Sequence, residues 1–590
     1  MLPPSSADVR KALDAVLKSR SFARAEQLRR LLFYVVEATI GGRASTLKET
    51  TIAIDIFDLP TDFDPKSDPV VRMAMRRLRD RLQQYYVHEG AGDPILLLLE
   101  PGSYVPRFLP RSHEAQQLVP IAVLPFVSLE EGPGQKDCAA LLREALLTRL
   151  AENKIFRLIG NEVPQSFWAN ADLGSIGRQL QVRFIVRAAC FASTETIRVC
   201  TELLCPQTQE SVWSGDHEQD PSRDIWTVQN DIAVDLEKQA LVAHGRQPPT
   251  VTEPYAEAGV YRLMLQGRLY LLQNNSTSIR KAHRCFTAVL EKQPHSGKAW
   301  AALSITYTVM AMYHTSPGES LWRKAEVAAR KALALDPLLP EGEIAMGLFT
   351  AYGRFEPMVA EQHFKRVLEA NSGNSIALLA HAMTCLAPLG KLQEAEHELE
   401  MVLSSDPLSP KALQMLAAVL YFQRRYHAAL EVGHSALDIL PDSIVASLVL
   451  AACYERLGQQ VKALKYYRNC DDLMPFMRSL RWSVVVAATY KGRSKWVRPT
   501  LLAVAKLLQS SSRAPSAMLA DLLIRIGEPE LAIKWLERAV RERAFRALYL
   551  GVDPGFDAVR SDPRCLRLLQ GFGGPTSIDA APLKSKTQYI

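Results

Sequence analysis

Five arginines crowd into one short stretch of this chain: Arg72, Arg76, Arg77, Arg79 and Arg81, with Asp80 as the single acid among them. A guanidinium is planar, always charged, and forks onto carboxylate or phosphate oxygens through two parallel N–H donors. The same fork fits O6 and N7 of guanine. Duplex DNA offers closely spaced phosphates, and each one neutralised releases condensed counterions. The stretch therefore predicts anion binding, with duplex DNA as the polyanion whose major groove admits a helix.

A helix is what the local sequence predicts. Asp68 supplies an N-cap oxygen, and Pro69 fits the first helical position, where its missing N–H would be unpaired anyway. Val71, Met75, Leu78, Leu82 and Tyr85 recur at steps of four and three, which is one face of a helix. Arg72, Arg76 and Arg79 fall on another face, with Arg77 and Arg81 beside it. Earlier residues supply the support. Val9, Leu13, Val16 and Leu17 form one amphipathic pattern, and Leu28, Leu31, Leu32, Val35 and Val36 a second, ended by Gly41-Gly42. Thr46–Ile56 makes a third helix. Ile95–Leu99 and Tyr104–Phe108, on either side of Pro101-Gly102, read as a short hairpin.

On these residues the first 110 positions resemble the OmpR-type winged-helix domain. The resemblance rests on the AMRRLRDRL run (Ala74–Leu82), on KETTIAIDIF and DFDPKSDPVVR, and on the closing PGSYVPRF. It implies that the arginine helix enters the major groove. The DNA-contacting set it carries over is Arg72, Ala74, Arg76, Arg77, Arg79 and Arg81, with Arg107 near the wing. The wing turn holds Glu100-Pro101 where response regulators usually place an arginine, which weakens the case for a wing contact.

Residues 118–243 mix strands with helices. Val119–Phe126 is a buried-strand pattern, Leu141–Leu150 a helix, and Phe184–Phe191 with Ile197–Leu204 a hairpin around Ser193–Thr196. A small α/β domain follows. IAVLPF, IGRQLQVRFIVRA and VWSGDHEQDPSRDIWTVQNDIA resemble a TolB-like domain, for which a linking or dimerising role is expected.

From about residue 254 the chain repeats. Ala395, Ala429 and Ala463 lie 34 residues apart, as do Pro407, Pro441 and Pro475, while Ala325 and Ala360 continue the ladder with single-residue slips. Trp300, Leu303, Ser304 and Tyr307 match the first helix of a tetratricopeptide unit. Small residues at that period mark stacked helical pairs. Seven or eight units are expected. Tyr421, Phe422, Arg424 and Arg425 are candidates for an inner binding face.

The remaining composition excludes more than it suggests. With 590 residues, several domains are expected, and 70 basic against 63 acidic residues place the partner information in local clusters. The nine cysteines form no CxxC pair, and no GxxxxGK[ST], HExxH or GxSxG motif is present. Neither enzyme, cofactor nor metal is expected. A nucleotide cyclase domain sometimes precedes such a middle region and repeats, but the 110 residues in that place are too few for one.

The sequence thus predicts a multidomain, mainly α protein. A winged helix (α+β) spans 1–110, a TolB-like α/β domain 118–243, an α-solenoid of tetratricopeptide repeats 254–545, and a C-terminal cap with a flexible tail 546–590. HilA-like regulators share this general layout. The expected function is cytoplasmic, one-component transcription regulation. Expected partners are double-stranded DNA, a protein or peptide on the repeats, and a second copy of the chain, with no membrane. The alternative is a non-enzymatic repeat scaffold whose winged helix contacts protein.

Overall fold

The computed structural model describes residues 6–575 apart from 61–69, 100–103, 111–117, 130–132, 164–166, 169–173, 193–196, 220–224, 244–257, 273–275, 313–317, 474–481, 491–493, 509–515 and scattered positions between 20 and 209. Asp68, Pro69, the Glu100–Gly102 turn, the side chain of Arg76 and the tail beyond residue 575 lie outside the described residues. The chain divides into two compact units, Met1–Leu118 and Val119–Ile590.

In the first unit, α1 (Ser6–Lys18), α2 (Glu26–Ile40), α3 (Glu49–Phe57) and α4 (Val70–Val87) precede an antiparallel hairpin. Its strands are β1 (Ile95–Leu98) and β2 (Arg107–Pro110), so the second begins three residues later than the alternation predicts. The whole apolar stripe of α4 is buried, and Val71, Met75, Leu78, Leu82 and Tyr85 join Leu13, Leu31, Val35 and Ile52 in one core. Each such side chain contributes about 1.5–3 kcal/mol by leaving water. The Tyr86 hydroxyl accepts from the Leu97 N–H at 2.9 Å, fixing the hairpin to α4.

The second unit opens with a sheet in the order β5-β3-β6-β7-β8, where β4 (Val127–Ser128) also pairs with β6. β3 (Val119–Val123) lies parallel to β5 (Phe156–Ile159) and to β6 (Phe184–Ala192). β7 (Ile197–Cys205) and β8 (Glu210–Gln219) continue antiparallel. Helices α5 (Pro133–Glu152) and α6 (Ile225–Ala243) cover one face through Leu142, Leu146, Ile232 and Leu236.

Sixteen helices among the described residues between Ala258 and Arg541 then pair into eight antiparallel hairpins. The ladder alanines 325, 360, 395, 429 and 463 are fully buried where helices cross. At Gly433 a Cβ would stand 2.8 Å from Leu450 Cδ2, so that crossing tolerates no side chain. Asn374, Ser409 and Ser443 open successive hairpins, each accepting from the backbone N–H three residues on.

One unit deviates. Its first helix, Ser375–His381, continues as a π-helical turn over Ala382–Leu386. The extra residue accounts for the slip from 34 to 35 between Ala360 and Ala395. Pro388 has no N–H to offer the carbonyl five residues back, and the Tyr549 hydroxyl donates to that Met383 oxygen instead, at 3.0 Å.

Within the second unit the middle sheet packs against the array. Ala122, Leu124, Ile159 and Trp168 share a core with Leu408, Leu413 and Ile439 of the array. The Gly160 N–H donates to Asp406 Oδ1 at 2.9 Å, and Lys411 pairs with Glu162 at 2.7 Å.

Candidate functional site

Two surfaces are candidate sites: the arginine helix and the array. On α4, the residues expected to contact DNA separate into distinct environments. Ala74 is only 8 % exposed. It lies three residues after Val71 and four before Leu78, on the buried stripe, and this removes it from any contact set. Arg72 pairs with Glu49 of α3 at 3.3 Å. Glu49 also accepts from the Tyr104 hydroxyl, and burial followed by that bond pushes Tyr104 up to about 12. Arg79 stands close enough for its charge to act on the same phenol. Arg72 and Arg79 therefore join α3, α4 and the hairpin approach into one brace. Arg77 is exposed and Arg81 half-exposed, and neither has a carboxylate partner among the described residues. Arg107 is exposed on β2.

On the array, the residues expected to line an inner binding face are already covered by the chain itself. After the last hairpin, a 3-10 turn (Phe545–Tyr549), a second one (Pro554–Phe556) and two helices (Asp557–Arg560, Pro563–Phe572) run back across earlier repeats. Tyr549 stacks on Phe422 with ring centroids 5.2 Å apart. Tyr421 donates to Asp553 Oδ1 at 3.3 Å, and Arg456 to the Pro554 carbonyl at 2.7 Å. Arg424 donates to the Val552 carbonyl at 3.2 Å and to Asp557 at 2.8 Å. Phe572 meets Phe355 edge-on at 5.9 Å. Arg425 is taken up by Glu396. Leu548, Leu550, Phe556 and Leu569 are completely buried, so the segment belongs to the array's core and is no mere terminal cap.

The turns inside the hairpins display the fit. Gly390, Gly458 and Gly527 take positive φ there, as glycine does readily. At the equivalent places Phe355 (φ 60°) and Arg424 (φ 62°) accept the same backbone despite their side chains. Both side chains grip the returning segment.

The middle sheet carries a half-open cleft of about 670 Å3 floored by Ala189 and Cys200 and walled by Trp168. Its flanking charges are already matched, Arg187 with Glu202 and Arg198 with Asp216. Burial, then the bond to Asp216, pushes the Cys200 thiol upward. Among the described residues no group of three or more His, Cys, Asp or Glu could hold a metal ion. No described helix is long and apolar enough to cross a membrane.

Comparison with known proteins gives a family match, and it lies within the repeats. Residues 390–470 match the family described as anaphase-promoting complex, cyclosome, subunit 3. A curated relative, putative adenylate cyclase 3 of Rhizobium meliloti (strain 1021), is 24 % identical over 240 residues, which span 40 % of this chain and 40 % of that protein. Among solved structures, the human IFIT1 dimer with m7Gppp-AAAA is 15 % identical, covering 54 % of this chain and 78 % of that one, with a TM-score of 0.36. Pseudomonas aeruginosa pilF is 17 % identical over 43 % of this chain and 96 % of its own, with a TM-score of 0.26. YrrB, described as a TPR protein with an unusual peptide-binding site, is 21 % identical over 32 % and 89 %, with a TM-score of 0.22. With its 34-residue ladder of buried alanines, the array of this chain is a solenoid of tetratricopeptide type.

Proposed function

We propose that this chain is a protein-interaction scaffold, with the repeat array as its binding part. The observation that carries the reading is the array itself: eight helical hairpins stacked on buried apolar clusters, joined to a small α/β sheet by a shared apolar contact. Stacked hairpins make extended surfaces whose side chains are free to specialise. The returning C-terminal segment shifts the partner away from Tyr421 and Phe422. A photo-crosslinking residue at exposed position 323, used in intact cells with the full chain, tests this. Protein adducts are expected; adducts to nucleic acid alone, or none, refute it.

A second reading keeps the arginine helix as a DNA element. It treats the first unit as an OmpR-type winged helix, the sheet as TolB-like, and the whole as a one-component, cytoplasmic transcription regulator. Activity would then follow partner capture, with dimerisation to supply two half-sites. Its specific support is that α4 docks by its apolar stripe while Arg77 and Arg81 stand without a carboxylate partner among the described residues. In this reading Arg77, Arg81 and Arg107 meet duplex DNA, Arg76 remains a member of the set, and Arg72 and Arg79 contribute from the brace. Fluorescence anisotropy with labelled duplexes at two salt concentrations tests it. Arg77→Glu/Arg81→Glu should weaken binding and flatten its salt dependence, and unchanged binding removes α4 from the interface.

The adenylate cyclase name belongs to a relative matched over less than half its length, and no cyclase activity is proposed for this chain.

A further inference from the structure

The charge of the array is uneven along its length: residues 474–545 hold thirteen lysines and arginines against five acidic residues, and its N-terminal end is equally basic. Residues 258–335, the first two hairpins, hold eleven lysines and arginines against three glutamates. Residues 336–473 hold eleven basic against seventeen acidic residues. The acidic part satisfies many of its charges internally: Glu343 binds His363 and Arg366, Glu361 binds Lys365 and Lys391, and Glu396 binds Arg425. The N-terminal end does not. Arg280, Lys281 and Arg284 on Ser276–Lys292, and Arg323, Lys324 and Lys331 on Gly318–Leu335, are exposed. None has a carboxylate partner among the described residues. Glu326, which might have served, is held by Arg330 and Arg354.

Arg284 and Lys324, from different helices, converge on His283 and Tyr307 to form a ridge. His283 lies 3.2 Å from the Tyr307 hydroxyl, and Lys324 sits over the Tyr307 ring at 5.8 Å. The two helices are thus bridged by an aromatic from the helix between them. Burial, then the charges of Lys324 and Arg284, hold His283 below its usual value, which agrees with an unneutralised neighbourhood. Lys281 covers the Tyr270 ring at 5.2 Å and Lys331 the Trp300 ring at 4.2 Å. Among the described residues the returning C-terminal segment reaches the hairpins from Phe355 onward, while Ala258–Leu272 of the first hairpin packs on α5 through Leu265, Leu141 and Ala145.

Deepening the scaffold reading, on which it rests, we propose that the ridge from Arg284 to Lys324 is the docking surface for an acidic polypeptide segment of the partner protein. Like charges held together without counter-ions attract a complementary chain and raise its rate of encounter. An acidic peptide is favoured over single-stranded nucleic acid because Tyr270, Tyr307 and Trp300 each already have an ammonium group over the ring. Bases require open aromatic platforms for stacking, whereas carboxylates need only the outward charges.

The test uses the full chain and labelled polyglutamate, followed by anisotropy at low and raised salt. Polyglutamate should bind the parent and lose affinity as salt rises. Arg284→Glu/Lys324→Glu should bind at least about tenfold more weakly, with unchanged helical content by circular dichroism. Arg284→Gln/Lys324→Gln should fall between. Arg77→Glu/Arg81→Glu should bind like the parent, which separates the ridge from the arginine helix. Unchanged binding in the charge-reversed variant overturns the proposal, as does displacement of polyglutamate by an equally long oligonucleotide through the same residues. Crosslinked protein partners without polyglutamate binding overturn it while leaving the scaffold reading intact; polyglutamate binding without any protein adduct overturns the scaffold reading and the proposal with it.

Discussion

Arg424 offers the sharpest mutational test of how the array is closed. It occupies a left-handed turn at φ 62°, where neighbouring repeats place Gly390 and Gly458. A side chain in that conformation costs about 1 kcal/mol relative to glycine. Against this, its guanidinium donates to the Val552 carbonyl and to Asp557, at 3.2 and 2.8 Å. Bonds to charged groups contribute about 1.5–3 kcal/mol each when well buried. Asp557 is 39 % exposed, so solvent reduces its share. Arg424→Gly relieves the strain and loses both bonds, for a net cost of about 1–3 kcal/mol. Arg424→Ala loses the bonds and keeps the strain, so it should cost about 1 kcal/mol more than glycine. Hydrogen exchange read by mass spectrometry over residues 545–575 is the assay, since the loss is local. Exchange should accelerate about fivefold to a hundredfold there, 1.4 kcal/mol being one decade. If glycine matches or exceeds the parent in protection, the idea that Arg424 holds the returning segment is wrong.

Other predictions follow from the same contacts. Tyr549→Phe leaves the Met383 carbonyl without its hydroxyl donor and should lower stability by about 1–3 kcal/mol in urea unfolding, with helical content kept. Phe556→Ala empties a site with no exposure and should cost about 3–5 kcal/mol, read as a lower midpoint for the array transition. Asp406 gives a pH dependence. Burial raises its carboxyl to about 6 from 3.8, against opposing bonds from the Gly160 and Leu408 N–H groups. The folded chain therefore holds this proton over a window where the unfolded chain has released it. Its contribution to stability falls as pH rises from about 4 to about 6 and stays low above that. Asp406→Asn keeps an acceptor for both N–H groups without the buried charge. It should raise the melting temperature at pH above the window and lose that advantage below it. An Asn variant less stable at every pH would contradict the assignment.

What was legible in the sequence was what local periodicity encodes. Val71, Met75, Leu78, Leu82 and Tyr85 are spaced by the helix, and all five are buried together. The alanine ladder foretold the crossings because a 34-residue unit stacks only with small residues there. Ala74 was legible too, since counting from Val71 and Leu78 places it on the buried stripe, but a family motif had carried it outward. The pairing of Arg72 with Glu49 joins residues from two helices and has no pattern in one of them. Closure of the array was the least visible, because Tyr421–Asp553 and Tyr549–Met383 link residues 132 and 166 apart. One trace existed: Phe355 and Arg424 stand in register with Gly390 and Gly458, where glycine would be expected. A non-glycine at such a turn signals that its side chain has something to hold.

The claim that the repeats are a binding platform for protein meets its most direct test in the cell. A photo-crosslinking residue at exposed position 323, beside the basic ridge, should give protein adducts that map to an acidic segment of a defined partner. The same residue at exposed position 461, on the acidic part of the array, should give few. Equal labelling from both positions, or adducts confined to nucleic acid, would contradict the account.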